Sequence, residues 1–149
     1  MAADLRDAYL NGADLRRANL LGTDLRGAFL PAADLRQAEI FADLRGAYLG
    51  GADLCNAFMN KVDLRDATLC SVDLSGADIT EADLRGADLT HASMGGLTSD
   101  IPDRTTKVTA QQLLSAKLDA ATRLPARLAA DPRVKKAPAC PTRAPASAN

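Results

Sequence analysis

Tryptophan is absent from the 149 residues, and aromatics make up only 3% of them. A core built on large rings is therefore excluded. One histidine (His91) and three cysteines (Cys55, Cys70, Cys140) at no metal-ligand spacing give no basis for a zinc site or a disulfide framework. No apolar run approaches the roughly 18 residues needed to span a bilayer, so no membrane partner is expected. Met1–Asp4 lacks the basic and apolar pattern of a secretion signal. A reducing cytoplasm is the default expectation, unless an export segment has been removed. Basic charge is not in excess: 18 basic and 19 acidic residues give −1, which argues against direct nucleic-acid binding. There is no nucleophile elbow, Gly-rich phosphate loop or catalytic acid pair. The Asp residues do not converge as a calcium cage requires. No enzyme, cofactor or metal is expected.

What is present is a repeat. Alanine (30) and leucine (22) supply most of the apolar residues. From Ala3 to Met94 a large apolar residue recurs every five positions, from Leu5, Leu10, Leu15 and Leu20 to Leu84, Leu89 and Met94, nineteen in all. Two positions before each stands a small residue: sixteen Ala, with Thr23, Val62 and Val72.

Period five suits neither regular element. On an α-helix five residues advance each Leu by about 140°, and no apolar stripe forms. On a straight strand, successive Leu residues alternate faces. Within a unit, however, Ala and Leu are two apart and share a side. A bend after each unit keeps that side inward, and four bends of about 90° close a square coil. Stacked coils bury Ala and Leu in ladders.

The repeated Ala-Asp-Leu-Arg-x units over residues 3 to 96 resemble the pentapeptide-repeat family, of bacterial type. The resemblance implies an all-β solenoid, a right-handed quadrilateral β-helix. Nineteen units over four faces give 4.75 coils, an axis of roughly 23 Å at ~4.8 Å per coil. One unit is short: Ile40-Phe41-Ala42-Asp43-Leu44 lacks a corner residue. It reads as a tightened corner or as a bulge displaying Phe41.

Every fourth unit returns to one face. The first face carries Asp4, Asp24, Asp43, Asp63 and Asp83 beside Arg6, Arg26, Arg45, Arg65 and Arg85. Adjacent opposite columns offset their own repulsion, so the face is either self-neutralised or a charged docking strip. The second face sets Tyr9, Phe29 and Tyr48 in one outward column, where only Asp88 is charged. Such a strip is a candidate for partner binding or self-association. The third face carries Asp14, Asp34, Asp53 and Asp73, with Arg16 and Arg36 but then Cys55 and Ser75.

The repeat domain is assigned to 1–97, a connector to 98–108, a capping helical segment to 109–130 and a disordered basic Pro/Ala-rich tail to 131–149. Thr109-Ala110-Gln111-Gln112 is a capping-box pattern. It predicts an α-helix from Ala110 to about Thr122, stopping before Pro125, with Leu113, Leu114 and Leu118 covering the last coil or pairing with a second copy.

Two functions fit. One is a non-catalytic scaffold presenting flat faces to a protein partner or a second copy. The other follows from the resemblance: some members protect DNA gyrase from inhibitors by mimicking duplex charge. Residues 1–97 hold 15 acidic and 9 basic residues, −6, and residues 98–149 hold 4 and 9, +5. Over ~23 Å, duplex DNA carries about 14 charges, and the Arg column interrupts this field.

Overall fold

The computed structural model describes residues 3–95 and 106–134. The chain winds in square coils, and each face is one short extended stretch paired in parallel with the coils on either side. Four columns of pairing result. One runs Asp4–Asp24–Asp43–Asp63–Asp83, and the next Tyr9–Phe29–Tyr48–Thr68–Asp88. The third is Asp14–Asp34–Asp53–Asp73–Ser93, and the fourth Asn19–Glu39–Phe58–Asp78.

The repeat accounts for every backbone donor of a standard unit. In the second coil, Asp24 N–H donates to the Ala3 carbonyl at 3.0 Å, and Leu25 N–H to Asp43 at 2.9 Å. Gly27 N–H reaches the Arg45 carbonyl at 3.0 Å, and Ala28 N–H closes the turn onto Leu25 at 3.0 Å. The fifth donor, Arg26 N–H, points sideways at the corner, and the Asp24 carboxylate accepts it at 3.2 Å. Aspartate before the central leucine thus terminates a hydrogen bond that no neighbouring coil can accept.

Each full corner among the described residues places its second residue at positive φ, as a type II turn requires. Glycine takes this position at Gly12, Gly22, Gly27 and others, but ten non-glycine residues also hold it, among them Ala32 (φ 53°) and His91 (φ 59°). The stacked coils hold these corners where an isolated turn would not.

The interior is leucine over leucine and alanine over alanine. Leu25, Leu44, Leu64 and Leu84 form one buried column, and Ala28, Ala47, Ala67 and Ala87 line the narrow position before the next face. Leu5, Leu10 and Leu15 in the first coil are only partly buried.

At the short unit the pairing offset falls from 20 residues to 19 (Asp24 with Asp43) and returns to 20 after it (Asp43 with Asp63). The corner is tightened, and the coils above and below keep their register. Phe41 is also displayed, at 40% exposure.

The continuous helix expected from Ala110 to Thr122 is not formed. Helix α1 is a single turn, Ala110–Leu113, and α2 is another, Ala126–Ala129. The capping box at Thr109 and Gln112 is present. On either side of it the chain is extended, because the last coil offers backbone groups that a helix could not pair. Lys107 N–H donates to the Ala77 carbonyl at 3.0 Å, Lys117 N–H to Ala87 at 2.8 Å and Arg123 N–H to Ala92 at 2.8 Å. Leu113 and Leu118 are buried under this segment with Val108 and Leu124, whereas Leu114 is 45% exposed. The proposed helical stripe of Leu113, Leu114 and Leu118 therefore does not exist as one face. Asp131–Val134 form a turn, with Asp131 and Arg133 paired at 2.6 Å and Val134 packed on the core. Residues 96–105, which include most of the connector (98–105), and Lys135, Lys136, Cys140 and the rest of the tail lie outside the described residues.

Candidate interaction surface

The four faces differ in kind. On the first, each Arg forks onto the Asp of its own unit: Arg45 Nε donates to Asp43 Oδ1 at 2.9 Å and Nη2 to Oδ2 at 2.6 Å. The same guanidinium lies 3.6 Å from Asp63 of the next coil. Repeated from Asp4 to Arg85, this makes an unbroken alternation of charge. The hydrogen bonds from Arg6 hold the Asp4 carboxyl down at about 2, and Arg16 does the same for Asp14. Five carboxylates and five guanidinium groups cancel along the strip, so its net field is small.

The third face begins in this way with Asp14–Arg16 and Asp34–Arg36, then loses its arginines. Asp53 and Asp73 instead accept the backbone N–H of Cys55 and Ser75, at 3.0 and 2.9 Å. Asp53, Cys55 and Asp73 bring one potential metal-ligand atom each within 4.8 Å of the others. Burial and the two carboxylates push the Cys55 thiol up to about 12. It is held protonated at neutral pH, which disfavours both nucleophilic use and thiolate ligation.

The second face carries the rings. Tyr9 and Phe29 stack with centroids 5.2 Å apart and planes 9° from parallel, and Phe29 and Tyr48 stack at 6.2 Å and 30°. Adjacent coils set this spacing, so the stack follows directly from the five-residue period. The Tyr48 ring folds over Gly50, where a Cβ would meet Oη at 2.8 Å. Tyr9 is 80% and Phe29 38% exposed, and Tyr48 is half-buried.

The fourth face carries an apolar group that the column reading overlooked. Leu21, Phe41 and Phe58 are all exposed. A recess of about 510 Å³ beside them is lined by Phe41, Ala42, Asp43, Asn60, Lys61 and Asp63. Laying out the fourth column of the repeat would have shown Phe58 beside the short unit. Cys55 is a free thiol, and Cys70 Sγ lies 3.0 Å from Thr90 Oγ1. No helix among the described residues is long and apolar enough to cross a membrane.

The family profile described as pentapeptide repeats matches residues 2–39, 40–69 and 59–96, with eight copies. Among solved structures, the chain is 28% identical to the pentapeptide repeat protein Rfr23 of the cyanobacterium Cyanothece 51142. That match covers 76% of this chain and 65% of the other, with a TM-score of 0.41. It is also 28% identical to HetL of Nostoc sp. strain PCC 7120, a pentapeptide repeat protein involved in heterocyst differentiation regulation, over 83% and 59% of the two chains (TM-score 0.40). Identity is 22% to QnrB1, a plasmid-mediated fluoroquinolone resistance protein, over 87% and 66% (TM-score 0.35). The chain spans less than two thirds of the length of Rfr23 and HetL. None of the curated protein sequences matches it. Pentapeptide repeat proteins are generally structural or interaction proteins, not enzymes. With the matched repeats covering most of its length and four columns of pairing set by the five-residue period, the chain belongs to the pentapeptide repeat family and has that family's right-handed quadrilateral β-helix.

Proposed function

We propose that the protein is a non-catalytic interaction scaffold: a rod of about 4.75 coils, closed at its C-terminal end by residues 106–134, that engages a protein partner through its second face. The observation that carries this reading is the outward stack of Tyr9, Phe29 and Tyr48, with Tyr9 and Phe29 exposed and Tyr48 half-buried. A rigid aromatic strip beside the charged first face supplies apolar contact area without burying charge. A flat face ~23 Å long and ~10 Å wide at ~3.3 Å per extended residue covers about 230 Å², well below the roughly 800 Å² per partner of a standard interface. This favours an extended peptide or a loop over a second flat face as the occupant. The test is replacement of the three rings by alanine in the full chain. Binding should be lost while the circular dichroism of the β-helix is kept.

Mimicry of duplex DNA toward a gyrase is the second reading, and the −6 charge of residues 1–97 favours it. The Asp–Arg forks weigh against it, because they cancel the first face locally. A supercoiling assay with purified gyrase separates the two: the scaffold reading expects no effect on supercoiling or on inhibitor action.

A further inference from the structure

The residues from Lys135 onward read Lys-Lys-Ala-Pro-Ala-Cys-Pro-Thr-Arg-Ala-Pro. Pro138 and Pro141 are three apart, a P-x-x-P spacing, with two lysines just before them. Prolines at this spacing present two rings on one side of a polyproline II turn, the form that docks on aromatic strips. We infer that the segment 135–149 of this chain is itself an occupant of the Tyr9–Phe29–Tyr48 strip and competes there with an outside partner. This rests on the reading of that strip as a recognition surface.

Scale, reach and charge support the assignment. One polyproline II turn rises about 9 Å, comparable with the stack, whose centroids are separated by 5.2 and 6.2 Å. Fifteen residues extend about 46 Å at 3.1 Å each, twice the ~23 Å axis of the rod. The chain leaves the described structure at Val134, packed on the core behind the last coil. The segment carries Lys135, Lys136 and Arg143 and no acidic side chain, against −6 over residues 1–97. The strip is flanked at its corner by Asp7 and Asp66, one at each end of the stack. The first face is matched internally by its arginines, and the fourth has Phe41 and Phe58 but no stacked rings among the described residues. Being tethered, the segment needs little intrinsic affinity to fill the site.

The test uses the full chain with Cys55→Ser and Cys70→Ser, a nitroxide on Cys140 and NMR of the five aromatic rings. The expected result is loss of the Tyr9, Phe29 and Tyr48 ring signals relative to Phe58, reversed on reducing the nitroxide and unchanged on dilution. Equal signals for all five rings would overturn the inference, as would loss confined to Phe41 and Phe58. Loss that disappears on dilution would place the segment on another copy and overturn it too. A second measurement needs no label, because Tyr9 and Tyr48 are the chain's only tyrosines and tryptophan is absent. Lys135→Glu with Lys136→Glu and Arg143→Glu should increase acrylamide quenching of tyrosine fluorescence; unchanged quenching counts against docking. If the rings prove untouched by the nitroxide while their alanine variant still loses an external partner, the tail docking fails and the strip stands.

Discussion

Asp119 is wholly buried, and its Oδ2 lies 2.9 Å from Nδ1 of His91. Its other oxygen, Oδ1, accepts from His91 N–H at 2.9 Å, Thr122 N–H at 2.8 Å and Thr122 Oγ1 at 2.8 Å. Oδ2 makes no hydrogen bond among the described residues. Oδ1 therefore carries the hydrogen-bonded contact between the segment and His91. This contact fastens the irregular C-terminal segment to the corner of the last regular coil.

Replacing Asp119 with alanine strands the donors of His91 and Thr122 inside the end of the rod. The expected loss is about 2–3 kcal/mol, read as a lower thermal midpoint. Thr122→Val should cost less, since it removes hydroxyl contacts and leaves the carboxylate bound to His91. Equal midpoints for the wild type and the alanine variant would show that the segment is not held there.

Acid should unfold the rod in a defined direction. Burial raises the Asp119 carboxyl, but hydrogen bonds from His91 and Thr122 outweigh it and the net shift is downward. The ladder carboxylates are lowered too, Asp4 and Asp14 to about 2, mainly by hydrogen bonds from arginine. Lowered carboxylates stabilise the fold above their unfolded value of about 3.9, and that stability is lost as pH falls through the folded values. Far-ultraviolet circular dichroism should hold steady from pH 7 to about 5 and decline below about 4. Stability that rose on acidification through this window would contradict the assignment.

The two members of one Asp–Arg fork should not be equivalent. Asp63 accepts the corner N–H of Arg65 at 3.2 Å as well as its guanidinium. Asp63→Ala should cost about 1 kcal/mol, and Asp63→Asn less, because an amide oxygen still accepts the N–H. Arg65→Ala removes only an exposed partner and should cost least. Chemical denaturation of the three variants orders them, and a larger loss at Arg65 would refute the corner role.

The register was legible in the sequence and the corner chemistry was not. A five-residue period with one short unit suffices to stack Tyr9 on Phe29 and Phe29 on Tyr48, since each column follows from counting. Aspartate could be counted as charge, but its service to the Arg26 or Cys55 N–H depends on turn geometry that counting does not supply. Local propensity favoured a helix beyond Leu114, whereas Lys117 and Arg123 were claimed by the exposed edge of Ala87 and Ala92. That tertiary demand has no signature near either residue.

Restoring the missing corner residue tests the tightened unit. Inserting glycine after Phe41 supplies a positive-φ corner and an N–H for the Asn60 carbonyl. The insertion should be tolerated, with an equal or higher thermal midpoint. Deleting Gly46 from an intact corner should lower it. A collapse of the fold on insertion would mean that the short unit is required.

Parallel pull-downs from host lysate test the central claim most directly. Three full-length baits are needed: the wild type, the combined Tyr9→Ala, Phe29→Ala and Tyr48→Ala variant, and an Arg26→Gln, Arg45→Gln and Arg65→Gln variant of the first face. The scaffold account predicts a protein partner retained by the wild type and the arginine variant and lost from the aromatic one, with all three baits giving the same circular dichroism. A partner retained by the aromatic variant and lost from the arginine variant would contradict it.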